Sequence, residues 1–181
     1  FTVLWLITCI NVINLLDGLD GLAASVCVIS ASSIAIIASL SGQFEINAIS
    51  LIFISALLGF LIHNLPPARI FMGDAGSMMI GFMIGALALD ASLKETTALS
   101  LVVPIGLIGV PLFDTIMAIF RRFLAGKSVG EADRRHLHHR LTDAGLSNTT
   151  VLMGICLLCI SVNGLAILAF YTQVDAAVVI G

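Results

Sequence analysis

The sequence predicts an all-α fold, a polytopic transmembrane helical bundle, and three observations carry that prediction. Of its 181 residues 59% are hydrophobic and only 10% charged, well below the ~25% charged residues of a soluble domain. The mean hydropathy is +1.13. The apolar residues are gathered into runs of the length a helix needs to cross the hydrocarbon layer, roughly 20 residues, with short polar breaks between them.

Taken in order, the runs predict about five complete spans plus truncated spans at both ends. The first covers residues 1–16 and is already apolar at Phe1. The second covers 21–40, and the third 46–65, where Pro66-Pro67 stops it. The fourth covers 75–91. The fifth, 97–124, is long enough to tilt and carries Pro104 and Pro111 as potential kinks. The sixth covers 149–171, and after a break at 172–175 the stretch 174–181 starts another. Apolar sequence at both ends of the chain predicts a piece of a longer protein. Residues 1–181 read as one integral-membrane domain, with 121–148 as its one long polar loop.

Alternating the spans sorts the loops into two sets. Seven of the eight basic residues (Arg69, Arg121, Arg122, Lys127, Arg134, Arg135 and Arg140) fall in one set, and only Lys94 in the other. The positive-inside bias places the richer set in the cytoplasm. The net charge of −3 says less than this distribution, and no nucleic-acid partner is expected. Cys156 and Cys159 have CxxC spacing, but they stand inside an apolar run and read as packing residues.

Every concentrated polar motif lies on the cytoplasmic side. Asn11, Asn14 and Asp17 recur at i, i+3 and i+6, a slowly drifting stripe on one helix. Asp17-Gly18 and Asp20-Gly21 then allow a sharp turn, with Asp20 placed to cap the next helix. Asparagines alone would glue helices together, but ionisable groups so close to hydrocarbon are costly and usually functional. In FMGDAGS, Asp74 opens the fourth span between Gly73 and Gly76. That arrangement serves as an ordinary N-cap, or as a place where helix N–H groups meet phosphate while a carboxylate holds Mg²⁺. Arg69 is close enough in sequence to contact the phosphate or to pair with Asp74.

The long loop contains DRRHLHHRL, with His136, His138 and His139 among Arg134, Arg135 and Arg140. A field this positive suits phosphate oxygens better than zinc, and a basic patch on anionic lipid would leave the histidines unexplained. Asp114, inside the fifth span, needs a partner that the sequence does not identify. Carboxylates, amides and a His/Arg cluster on one membrane face suit Mg²⁺-assisted chemistry on a phosphate ester. A transporter would instead place its binding groups near the midplane at broken helices.

NVINLLDGLDGLA, ARIFMGDAGS, PLFDT and DRRHLHHRL, in this order, resemble the polyprenyl-phosphate N-acetylhexosamine-1-phosphate transferases, glycosyltransferase family 4. The HLHH form is similar to the bacterial undecaprenyl-phosphate GlcNAc-1-phosphate branch rather than to the phospho-MurNAc-pentapeptide transferases, which remain the alternative within the same chemistry. The resemblance implies transfer of N-acetylhexosamine 1-phosphate from a UDP-N-acetylhexosamine to undecaprenyl phosphate, at the bacterial cytoplasmic membrane, for a cell-envelope polysaccharide. It implies Mg²⁺, with Mn²⁺ as a substitute. It assigns Asp74 and Asp17 to the metal, Asp17, Asp20 and Asp74 to catalysis, and Asn14, His136, His138 and His139 to substrate binding; the reading of the residues themselves adds Asn11, Arg69 and Arg134 to the substrate-binding set. Membrane lipids and a second copy of the chain are the other partners it allows. Family members are longer and carry an upstream Asp-Asp motif, whereas residues 1–10 hold no charge. This stretch therefore reads as the C-terminal part of such an enzyme, inactive alone.

Overall fold

A computed structural model describes residues 1–93, 106, 108–124 and 137–180. All of their regular structure is helical, as expected. The helices are α1 (Thr2–Leu16), α2 (Leu22–Leu40), α3 (Phe44–Asn64), α4 (Gly73–Leu93), α5 (Gly109–Leu124), α6 (Leu137–Asp143) and α7 (Asn148–Ile180). Four of them, α2, α3, α4 and α7, are long and apolar enough to cross a membrane, and α1 is a shorter apolar helix.

The central element is α2. Its sequence LAASVCVISASSIAIIASL is rich in Ala and Ser, so neighbouring backbones can approach closely. Ala24, Cys27, Ala31, Ile34 and Ala38 are fully buried. α3, α4 and α7 all pack against α2. By contrast, Ile52, Leu58 and Ile62 on α3 and Leu157 and Leu165 on α7 are exposed, as expected of helices at the rim of a bundle with lipid as solvent.

α1 packs mainly on α4. Two glycines one turn apart make this possible. A Cβ on Gly81 would stand 2.9 Å from the Cys9 carbonyl oxygen, and one on Gly85 2.9 Å from the Cys9 Cβ. The two backbones are therefore in contact along a small-xxx-small seam. Trp5 closes it by donating its indole N–H to the Gly85 carbonyl at 3.0 Å. Such an approach fixes how far α1 can slide along α4.

Three local expectations are corrected. The break at 172–175 does not occur: α7 runs unbroken from Asn148 to Ile180. No Gly or Pro interrupts residues 165–180, and the Thr172 hydroxyl returns to the Ala169 carbonyl within the helix, so one polar stretch cannot end it. Asp20 does not cap α2. Gly21, at φ 75°, takes the N-cap position, with no side-chain cap, while Asp20 is used elsewhere. Pro111 introduces no mid-helix kink, because it lies in the first turn of α5, where its missing N–H has no helical partner to lose. Of the rest of the predicted 97–124 span only Gly106 and Ile108 are described, and Pro104 lies outside the described residues. Cys159 is buried between α7 and the start of α2, in a cluster with Leu16, Leu22 and Val26, in keeping with a packing role.

Candidate active site

The antiparallel pairs α1/α4 and α2/α3 bring four helix ends to one place: the ends of α1 and α3 and the starts of α2 and α4. Between them is a cavity of about 310 Å³, lined by residues 17–20 of the first turn, by Asn64, and by residues 71–74. Asp17 and Asp20, though 54 residues or more before Asp74 in sequence, thus face one space with it.

Asp17 follows the last residue of α1, its N–H bonded to the Asn14 carbonyl at 3.3 Å. Burial in the turn, and secondly the negative charge of Asp74, push its carboxyl up to about 6. Asp74 stands in the first turn of α4, where the positive end of the helix dipole favours an anion. Gly73 precedes it at φ 68°, a left-handed conformation that a side chain would oppose. Asp20 turns across the gap, and its Oδ2 accepts the Ala68 N–H at 3.0 Å. Asn14 Oδ1 accepts the Ser77 hydroxyl at 2.6 Å. The Asp74 carbonyl lies 3.1 Å from the same hydroxyl, which has one proton and gives it to the nearer acceptor.

The remaining sequence-predicted residues divide. Asn11 does not reach the cavity: it is exposed on α1 and donates to the Ile7 carbonyl at 2.7 Å. Arg69 is exposed, with its backbone N–H on the His63 carbonyl at 2.8 Å, and does not line the cavity. His138 and His139 lie on α6. Leu141 of that helix packs on the cluster of Leu16, Leu19 and Leu22, which anchors α6 at the end of the bundle that holds the cavity. Arg134 and His136 lie outside the described residues. Asp114, half-buried on α5, lines a separate apolar cavity of about 630 Å³ with Phe113, Met117 and Arg140.

Two residues were not legible as part of the site. Asn64, the last residue of α3 and only 4% exposed, looked like the polar end of a span. Phe71, 73% exposed at the cavity wall, looked like one more apolar residue. The one available signal was an aromatic side chain three residues ahead of a glycine-flanked aspartate.

The donor set suits a small hard cation. Beside Asp20, whose Oδ2 is taken by the Ala68 N–H, Asp17 and Asp74 share the cavity; burial and then the Asp74 charge raise the Asp17 carboxyl to about 6, and a dication would relieve that repulsion. Mg²⁺ is usually held by one or two carboxylates, with water and substrate phosphates completing its shell. Among the described residues no three His, Cys, Asp or Glu side chains gather into a metal cluster, so a closed structural site of the zinc type is not formed there.

Sequence comparison matches this architecture to a class of membrane transferase. Residues 1–92, which contain every group around the cavity, match the model of glycosyl transferase family 4. The chain belongs to that family. Its relatives include a Bacillus subtilis (strain 168) protein named a probable undecaprenyl-phosphate N-acetylglucosaminyl 1-phosphate transferase, 46% identical over 87% of this chain and 44% of its own length. The decaprenyl-phosphate N-acetylglucosaminephosphotransferase of Mycolicibacterium smegmatis is 38% identical over 74% of this chain and 36% of its own length. The undecaprenyl-phosphate alpha-N-acetylglucosaminyl 1-phosphate transferase of Escherichia coli (strain K12) is 30% identical over 80% and 41%. The chain thus spans less than half the length of these relatives.

Proposed function

We propose that this chain forms part of a Mg²⁺-dependent phosphoglycosyltransferase that moves N-acetylglucosamine 1-phosphate from UDP-N-acetylglucosamine to undecaprenyl phosphate. The observation that carries this reading is the convergence of Asp17 and Asp74, from different helix ends, on one cavity, together with relatives whose names specify that sugar phosphate and a polyprenyl-phosphate acceptor.

In this reaction an oxygen of the acceptor phosphate attacks the β-phosphorus of the donor. The bond from that phosphorus to the bridging oxygen breaks, and UMP leaves with that oxygen. A metal ion in the site would neutralise the charge on the pyrophosphate oxygens. The protein's own part is to hold and orient. Asp17 and Asp74 supply carboxylate oxygens from two walls of the cavity. The N–H groups that open α4 point the positive end of the helix toward the phosphates. Phe71 offers an exposed aromatic face of the kind on which a nucleotide base stacks. α6, whose sequence includes His138 and His139, packs through Leu141 at the same end of the bundle. The bias of Lys and Arg toward these loops supports a site on the cytoplasmic face, where a nucleotide sugar is available and the lipid phosphate meets the membrane edge.

The test is transfer of radiolabel from UDP-GlcNAc to undecaprenyl phosphate by the full-length protein in detergent, with and without Mg²⁺. Label should enter the lipid phase, with UMP released, only when Mg²⁺ is present. Asp17→Asn and Asp74→Asn should each lower the rate by about a hundredfold or more. Near-normal turnover in both variants would overturn the assignment. Transfer from UDP-MurNAc-pentapeptide in place of UDP-GlcNAc would keep the reaction and change the donor.

A further inference from the structure

Two segments must be held at a set distance for Asp17 and Asp74 to face each other: the turn after α1 and the loop before α4. Both are short, and each packs on the core through a single apolar residue, Leu19 and Met72. Asn64 joins them. Its Oδ1 accepts the Gly21 N–H at 3.0 Å, and its Nδ2 donates to the Ile70 carbonyl at 2.8 Å. Gly21 is four residues after Asp17, and Ile70 four residues before Asp74. The amide orientation is dictated by its partners, since an N–H must meet oxygen and a carbonyl must meet N–H. Asn64 is 4% exposed; its bond to Gly21 is buried and its bond to Ile70 partly buried, so loss of the first strands a backbone N–H.

Surrounding contacts brace the same link. Asp20 Oδ2 takes the Ala68 N–H at 3.0 Å, a second tie between the turn and the α3–α4 loop. The His63 carbonyl accepts the N–H groups of Arg69, at 2.8 Å, and Ile70, at 3.2 Å, folding that loop back on the end of α3. Gly21 itself is held at φ 75°, a conformation that side chains rarely adopt. Only a side chain with a donor and an acceptor in one short fork can serve both segments from the end of α3. The single oxygen of a serine is too short to reach both segments, and alanine has neither group.

We infer that Asn64 is a positioning residue, setting the separation of Asp17 and Asp74 and hence the affinity of that pair for a divalent cation. The inference rests on the proposed metal-dependent reading of the site, but its test reads binding directly. Mn²⁺ would be titrated into the full-length protein in detergent and followed by electron paramagnetic resonance, for the wild type, Asn64→Ala and Asn64→Ser. Losing an interaction that orients a ligand typically weakens metal binding 10–100-fold, so affinity should fall about tenfold or more in both variants. In the transfer assay the Mg²⁺ concentration for half-maximal rate should rise in parallel, with the KM for undecaprenyl phosphate within about twofold of wild type. Unchanged Mn²⁺ affinity in the folded variants would overturn the inference. So would failure of both variants to fold, which would make Asn64 part of the scaffold alone. Weakened Mn²⁺ binding in a protein whose wild type transfers no sugar phosphate would keep the positioning role and sink the proposed reaction.

Discussion

The Ser77 hydroxyl donates to Asn14 Oδ1 across the α1–α4 interface at 2.6 Å. It joins the last turn of one helix to the first turns of the other, three residues before Asp17 and three after Asp74. Both aspartates are therefore carried on a pair of helices pinned within one turn of the site. Ser77 is fully buried, and hydrogen bonds between helices in a membrane contribute about 0.6–1.7 kcal/mol each.

Ser77→Ala should accordingly lower stability by about 1 kcal/mol, measured as a fall in the thermal unfolding midpoint of the detergent-solubilised protein. Asn14→Leu should cost a similar amount. Because the two side chains form one bond, the double variant should lose little more than either single one. Losses that simply add would show that the bond is not shared.

The raised carboxyl of Asp17 sets a pH dependence. Its pKa is about 6 in the folded protein against 3.8 when unperturbed, so folding favours the protonated form. That stabilisation is complete below about 3.8 and is lost as pH rises through about 6. Metal-free protein should be more stable at pH 5 than at pH 7.5, and Asp17→Asn should flatten the difference. A cation binds the ionised carboxylate instead. Mn²⁺ affinity should therefore weaken as pH falls through 6, a trend that excess metal offsets. A wild type and an Asp17→Asn variant with identical pH profiles would refute the assignment to Asp17.

The glycine seam makes a steric prediction. Gly81→Val would place a Cβ 2.9 Å from the Cys9 carbonyl oxygen and the Ile10 Cα. Neither is the end of a flexible side chain, so α1 must shift or lift. Overpacking of this kind typically costs 1–3 kcal/mol. Thermal unfolding should show that loss, and Mn²⁺ affinity should fall with it, because the shift separates Asp17 from Asp74. Valine at Gly59, where a Cβ would meet nothing within 4 Å, is the matched control and should leave both measurements close to wild type.

What the sequence made legible follows the range of each signal. Runs of apolar residues predict spans because hydrocarbon thickness imposes their length, and α1 to α4 lie where the runs placed them. Asp17 and Asp74 stood out because a carboxylate beside an apolar run is costly in any context. Asn64 carried no such mark: its importance comes from Gly21 and Ile70, which only the folded chain brings to it. Gly81 and Gly85 likewise read as ordinary glycines until Cys9 is seen against them. Asn11 misled in the opposite direction. Three residues along a helix turn a side chain by roughly 60° away from an exact repeat, enough for Asn14 to meet α4 while Asn11 faces outward. The continuity of α7 was hidden because a polar stretch shows where a helix could leave the membrane, and does not stop its backbone hydrogen bonds.

α1 touches α2, its neighbour in sequence, only lightly and takes α4 as its principal partner. During synthesis α4 emerges from the ribosome after both α2 and α3. Among the described helices, the one made first thus waits longest for its main contact. The turn bearing Asp17 is already at the membrane surface during that wait, but its opposing wall does not yet exist. Assembly of the reaction centre is a late event in biogenesis, and any substitution that delays the docking of α4 would yield an inserted protein without an assembled centre.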